Sequence, residues 1–509
     1  MSKQKMIHNE NISPLQRLII LIAIAIAYLV VMMDYSIINV ALQTIQEDFS
    51  ASNAQLQWTV SSYEIFYAAL LLPAGFLADR YGRKRLLILG LGIFLIGAGL
   101  ITTAMTANQI IIWRIVMGIG GAVVPATTLA IIKHVFPIDK QAQAMGVWSA
   151  VGGASVAVGP ILGGFLVQYF AWWSIFLINV PIVAICIFIV WRNVPESSNS
   201  SQGRLDIVGM ILAMLSVATL TFGLIRGGET GIWTAFDTTG AIIVGVILLV
   251  ILIFIEKRQT VPMLDVYLLR NRAFAVGTMS ISLAYFALTG GTFLLVFYVQ
   301  LIRGQTPFEL GLSMLPVAIG AVVGSLLAEK MVQRFGVRLT ISTALLILAS
   351  GFTLFAFANA ETSQFWIEVA FLGAGLGMGV TMGTTTPLTM GEVPKEKAGS
   401  AAGLTNTIRG LTSIIGVAIL GAVYSLRYQS LITPLLDESL LSSGANQSLS
   451  QTLTALRDTN HLDSTGITEI TLQANNSFIS SFHASMWVAV GVIIVGMVLS
   501  YILLPRKTR

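Results

Sequence analysis

Apolar residues run in blocks of roughly 18 to 25 along the whole chain, and each block is long enough to cross about 30 Å of hydrocarbon as a helix. The blocks begin near residues 17, 57, 86, 109, 143, 172, 206, 238, 273, 310, 339, 365, 400 and 482, which predicts fourteen membrane-spanning helices. A helix satisfies its own backbone hydrogen bonds in lipid, and frequent glycine within long apolar runs fits packed helices rather than the alternating pattern of a barrel. The predicted fold class is therefore an all-α membrane protein, with no soluble domain left to place. The first block contains Ala23, Ala25 and Ala27, which imitate a signal-peptide cleavage site, but it continues through Asp34 and is read as a retained span. Two polar stretches interrupt the pattern. Residues 193–204 read as a cytoplasmic linker, and residues 426–481, rich in Ser, Asn, Thr and Leu, read as an external loop that is either a solvated lid or a hairpin dipping into the membrane surface.

Composition agrees: 55% of the 509 residues are apolar and 10% are charged, against about a quarter charged in soluble domains. The net charge of +5 reflects topology. With both termini in the cytoplasm, Arg226, Arg303, Arg427 and Arg457 fall outside, Arg114 and Arg409 fall within helices, and all other Lys and Arg fall inside. That obeys the positive-inside rule and calls for no nucleic-acid partner. The single cysteine, Cys186, and the four scattered histidines give no disulfide framework and no metal site. A Walker-type loop is absent from the sequence, so no nucleotide is expected, and no cofactor. The expected location is the cell membrane (plasma or inner), multi-pass.

Sliding the chain against itself in one ungapped register aligns Gly118 with Gly375, Gly120 with Gly377, Thr127 with Thr384, Pro137 with Pro394, Gly159 with Gly416 and Gly164 with Gly421. Helix and loop residues matching together point to a duplication. The predicted organisation is an N-terminal six-helix half over 1–192, a linker with two inserted helices over 193–257, and a C-terminal six-helix half over 258–509 that includes the external loop 426–481.

Candidate chemistry lies mainly in the first half. Between spans 2 and 3 stands Gly75-Phe-Leu-Ala-Asp79-Arg80-Tyr-Gly82-Arg83-Lys84-Arg85, a tight turn with an acid and four bases. Gly82 permits the turn, and Asp79 is suited to pair with a base or a helix N-terminus. A worn copy, Gln333-Arg334-Phe335-Gly336-Val337-Arg338, has Gln333 in place of the acid. In span 4, Arg114, Gly118, Gly121, Pro125 and Thr128 share one small, polar face. An arginine within a membrane helix costs about 2.5–3.5 kcal/mol on insertion scales, so a buried partner is expected, and Asp34 in span 1 is the nearest acid by depth. The pair is either a structural ion pair or a site whose proton affinity switches as the two groups move. Glu64 in span 2 is a second intramembrane acid, suited to binding a substrate cation, relaying a proton or bonding across helices. In span 5, Gly146, Gly152, Ser155, Gly159 and Gly163 form a small-residue surface, with a bend at Pro160. Arg409 in span 13 has Asn406 and Ser413 on its face. Tyr63 and Tyr67 in span 2, with Tyr285 and Phe293 in span 9, offer rings that either stack with a flat cation or pack against core and lipid.

These signatures resemble the major facilitator superfamily, and within it the fourteen-helix drug:proton antiporters, a group that contains quaternary-ammonium exporters. The resemblance rests on the span 2–3 turn, on Arg114-Ile-Val-Met-Gly118-Ile-Gly120, on Gly159-Pro160-Ile-Leu-Gly163-Gly164 and on Met33-Asp34-Tyr-Ser-Ile-Ile-Asn39-Val-Ala. It implies two halves around a central cavity and conformational gating by Gly75, Asp79, Arg80, Gly82 and Arg83. It implies an antiporter motif of Gly146, Ser155, Gly159, Pro160, Gly163 and Gly164 that seals the external side and favours export, with Ser155 where the family usually has Gly. It implies proton coupling through Asp34, Arg114 and Glu64. Relatives often carry an acid soon after the Trp of span 2, where this chain has Trp58-Thr-Val-Ser61-Ser62, so Glu64 is the acid left for a cation. The expected function is export of small amphipathic, often cationic, molecules in exchange for protons across the lipid bilayer. The alternatives are export of an endogenous lipid, peptide or metabolite, or a non-transporting membrane receptor or scaffold. No enzymatic activity is expected.

Overall fold

The computed structural model describes residues 12–198, 207–230, 232–258, 266–391, 398–442, 444–458 and 464–504; within its helices, a few side chains, among them that of Asp79, lie outside the described set. The chain is helical throughout these residues. The first group is α1 (Pro14–Phe49), α2 (Asn53–Tyr81), α3 (Arg83–Ile101), α4 (Ala107–Val135), α5 (Ile138–Tyr169), α6 (Ser174–Leu177) and α7 (Asn179–Asn193). Then follow α8 (Ile207–Thr230) and α9 (Phe236–Arg258). The last group is α10 (Arg272–Phe297), α11 (Pro307–Ser313), α12 (Leu315–Ala356), α13 (Gln364–Gly391), α14 (Ala398–Ile432), α15 (Glu438–Ser442), α16 (Leu449–Asp458) and α17 (Ser464–Leu503).

Local sequence sets the helix ends. Ser13 caps α1 ahead of Pro14. Ser52 with Gln55, and Thr306 with Glu309, form reciprocal capping boxes at α2 and α11. Each such cap contributes about 1 kcal/mol. Among the described residues, 11 helical runs are long and apolar enough to cross a membrane. One of them, Pro307–Ala356, has 50 residues, which at 1.5 Å per residue is about 75 Å, more than twice the hydrocarbon thickness. It breaks at Gly336, where φ is 78° and ψ 162°, a conformation open to glycine and costly to other residues. Gly82 does the same between α2 and α3 with φ 110°, so the worn copy of the turn keeps its bend while lacking the acid. The long, more polar α2 falls outside the 11, and α5 enters only as a shorter apolar segment, Val158–Tyr169.

The polar stretch before the last span differs most from its sequence reading. Helix α14 runs on to Ile432 and α17 begins at Ser464 rather than near 482, with α15 and α16 between them. Polar residues end a membrane span but do not end a helix in water. This helical cap rests on the α1–α2 connection: Asn53 Nδ2 donates to the Gln447 carbonyl at 2.8 Å, Gln46 Nε2 to Ser448 Oγ at 3.1 Å, and Tyr428 Oη lies 2.6 Å from Thr452 Oγ1.

Two parallel sets of contacts organise the bundle. Helix α5 packs on α1 and reaches α11; α14 packs on α10 and reaches α2 and α8. Small residues make this possible. A Cβ on Gly163 would meet Ile37 of α1, and one on Gly164 would run into the backbone of Pro307 and Phe308. In the same way, a Cβ on Gly416 would strike the backbone of Phe286, and one on Gly421 the side chain of Gln57.

Candidate functional site

Asp34 and Arg114 meet in the centre of the first helix group, both fully shielded from solvent. Arg114 Nη1 pairs with Asp34 Oδ2, and its Nε donates to the Thr59 carbonyl of α2 at 3.0 Å. The guanidinium carbon lies 4.4 Å from the ring centre of Tyr63, whose hydroxyl donates to the Val31 carbonyl at 3.1 Å. Gly118 and Gly121 of α4 leave room for this ring: Cβ atoms there would come within 2.6 Å of the Tyr63 carbonyl oxygen and 2.9 Å of its hydroxyl. Two helices thus clamp an arginine carried by a third, which explains why Arg114 stands among small residues. Asp34 Oδ1 has no hydrogen-bond partner among the described residues, so one carboxylate oxygen is buried without a protein donor.

Glu64 lies elsewhere on α2. It is 2% exposed, and neither of its oxygens makes a hydrogen bond of good geometry with the described residues. Its polar neighbours are Tyr35 of α1 and Ser413 of α14. Tyr35 Oη lies 2.9 Å from Ser413 Oγ, which donates to Thr289 Oγ1 of α10 at 2.8 Å. Glu64 therefore sits at the seam between the two helix groups, whereas Asp34 is enclosed in one.

The candidate rings separate. Tyr67 and Tyr285 stand part-exposed around Arg409, the guanidinium carbon 4.7 Å from the Tyr285 ring centre. Tyr63 is used by Arg114. Trp58 packs with Ala54, Ile225 and Ala418, against α8 and α14. Phe293 is buried against Phe297, beside Gln46, Asn53 and Tyr424 near the helical cap. Sequence reasoning missed two of the aromatic groups at the centre: Tyr28, stacked on Trp148 at 3.9 Å, and Tyr35. The two sit seven residues apart on one face of α1, a face the hydrophobic pattern alone does not set apart.

At the α2–α3 turn, Gly75 packs toward Ala126 of α4 and Arg83 Nη1 donates to the Ala130 carbonyl at 3.4 Å. Arg80 is exposed and lies over the Tyr81 ring at 5.7 Å. Glu196, which the sequence reading did not single out, caps α3. Its oxygens accept from Lys84 N at 3.1 Å and Arg85 N at 3.2 Å, its carboxylate lies 3.6 Å from Arg85 Nε, and Arg83 N donates to the Ser197 carbonyl at 2.9 Å. A carboxylate at a helix N-terminus is favoured by the helix dipole. In α5, Ser155 accepts through its carbonyl from Ser36 Oγ at 3.3 Å, Gly159 and Gly163 face α1, and Pro160 touches Gly311 of α11. Gly146 lies in α5, and its surroundings are outside the described set.

The sequence profile of the Major Facilitator Superfamily matches residues 24–417. The chain is a member of that superfamily. Within it, the chain is 32% identical over 426 residues to a multidrug resistance protein, Stp, of Mycobacterium tuberculosis, covering 83% of this chain and 79% of that protein. It is 34% identical over 403 residues to a methylenomycin A resistance protein of Streptomyces coelicolor, covering 79% and 84%. Among solved structures, a bacterial homologue of the human lysosomal transporter Spinster, inward-facing and occupied, superposes with a TM-score of 0.66 at 17% identity, covering 96% of this chain and 97% of that one. That likeness shows the superfamily fold: a multi-span helical membrane protein.

Proposed function

We propose that this chain is a proton-coupled exporter of amphipathic, often cationic, drug-like molecules across the cell membrane. The observation that carries the reading is the enclosed Asp34–Arg114 pair with one carboxylate oxygen left without a partner among the described residues, together with a second buried, unpartnered acid, Glu64, at the seam between the helix groups. Two buried acids with unfilled hydrogen-bonding capacity are costly in a membrane protein. Proton exchange gives both a role. The curated relatives are named for drug resistance and efflux, which supports export of drug-like molecules.

Fourteen crossings with both termini inside fit this reading. Dividing Pro307–Ala356 at Gly336, and adding α2 and α5, brings the 11 runs to fourteen. The matched packing of α5 on α1 and α14 on α10 supports two six-helix halves over 1–192 and 258–509, with α8 and α9 inserted between them. Gly159, Pro160, Gly163 and Gly164 then close the external side, since their partners on α1 and α11 lie at the end assigned to the outside. Protein reconstituted in proteoliposomes tests the function: an outward proton gradient, acid inside, is expected to drive substrate accumulation in the lumen against the substrate gradient, and collapse of the proton gradient to stop it. Transport of a cationic dye that ignores the proton gradient would overturn the coupling.

A further inference from the structure

Four part-exposed tyrosines meet at mid-bundle: Tyr28 and Tyr35 from α1, Tyr67 from α2 and Tyr285 from α10. The guanidinium carbon of Arg409 of α14 lies 4.7 Å from the ring centre of Tyr285, with the other three in its electrostatic surroundings. Arg409 has no carboxylate partner and makes no hydrogen bond with the described residues. The contrast with Arg114 is direct, because that arginine is fully buried and holds a carboxylate, a carbonyl and a ring. Arg409 is part-exposed where Arg114 is fully shielded. An arginine stays charged in any protein setting, and inside a membrane bundle that charge needs water or an anion. Glu64 is not that anion: both of its oxygens lie without a hydrogen-bond partner among the described residues. One helical turn along α14 from Arg409, Ser413 stands beside Glu64. The seam between the helix groups therefore presents an unpaired cation and an unpaired acid at successive levels, lined by phenol rings.

Resting on the exporter reading, we propose that Arg409 and its four tyrosines form an anion-accepting subsite for the carboxylate or enolate of a flat aromatic substrate. Zwitterionic aromatics then bind with their anion at Arg409 and their cation toward Glu64. A flat ring slots between the tyrosines while the guanidinium supplies paired, charge-assisted donors. Purely cationic compounds use Glu64 and the rings and make no use of Arg409.

Rhodamine B, which carries a free carboxylate, and its ethyl ester, which carries none, share one cationic ring system and serve as the probes. Binding of each to purified protein is followed by fluorescence anisotropy, and export by proteoliposome uptake, for the wild type, Arg409→Gln and Arg409→Lys. The wild type is expected to bind both dyes. Arg409→Gln is expected to lose about tenfold or more in affinity for the acid and little for the ester, so the ester reports that the variant is folded. Arg409→Lys is expected to restore part of the acid affinity. Equal weakening of both dyes in Arg409→Gln, or unchanged acid binding, overturns the subsite. A wild type that exports the ester but does not bind the acid also overturns it and leaves the exporter reading standing, whereas failure of both dyes overturns the two together.

Discussion

Asp34 owes its proposed role to what surrounds it: a fixed arginine on one oxygen and no partner among the described residues on the other. Removing one partner of a buried ion pair costs about 3–5 kcal/mol, so Asp34→Ala confuses folding with coupling. Asp34→Asn keeps the shape and is expected to insert and run as a monodisperse protein while losing drug-driven proton flux; dye-coupled quenching in proteoliposomes reads the flux. Glu64→Gln is expected to weaken cationic substrates by about tenfold and neutral ones little, read from paired uptake assays. A uniform loss for both classes would make Glu64 a packing group. The sequence exposed Asp34, Arg114 and Glu64 because a charge inside an apolar run stands out against its cost. It did not expose the tyrosine cage of Arg409. Those rings come from three other helices, and aromatic residues are ordinary in any apolar run.

Helix ends and close approaches carry the next level. Gly164 meets the backbone of Pro307 and Phe308, which cannot step aside as a side chain can. Gly163 meets mainly the Ile37 side chain. Gly164→Ala is therefore expected to impair closure of the external end more than Gly163→Ala, seen as a larger substrate-independent proton leak in proteoliposomes. Equal leaks would detach the motif from this contact. At the opposite end, Glu196→Gln removes a charge from the start of α3. The site is exposed, with Arg85 at 81% and Glu196 at 35%, so the cost in stability is expected to stay below about 1 kcal/mol. Its effect is expected on rate, equal across substrates, as for substitutions of Asp79 and Arg83; altered substrate preference at unchanged rate would contradict this. The turn residues were legible because Gly, Asp and Arg recur at fixed spacing. Glu196 was not, since an acid in a polar linker carries no signal until α7 brings it beneath α3. The stretch 426–481, expected as an external segment, contains helix for a related reason: loss of hydrophobicity does not end a helix, and α14 and α17 extend into it from either side.

At the scale of the whole molecule, hydrogen bonds between the two helix groups, Tyr35–Ser413 at mid-bundle apart, cluster at the end assigned to the outside. Gln300 Nε2 donates to the Val40 carbonyl at 3.1 Å, Phe308 N to Gln168 Oε1 at 3.3 Å, and α11 lies on α5. The helical cap adds Asn53–Gln447 and Gln46–Ser448. On the exporter reading these contacts part when the cavity opens outward, and the proton supplies the driving force, about 2.3 kcal/mol per 100 mV. Sequence periodicity told of a helical bundle and an internal repeat but not of which groups face one another across the seam, since Glu64, Ser413 and Thr289 come from separate helices. The coupling of substrate to proton is the central claim. It is tested most directly by adding a cationic substrate to purified protein in weakly buffered detergent solution and recording the pH. The account predicts that the wild type releases protons as substrate binds and that Asp34→Asn binds substrate without releasing them. Proton release from Asp34→Asn equal to that of the wild type, or substrate binding to the wild type with no proton release, would contradict it.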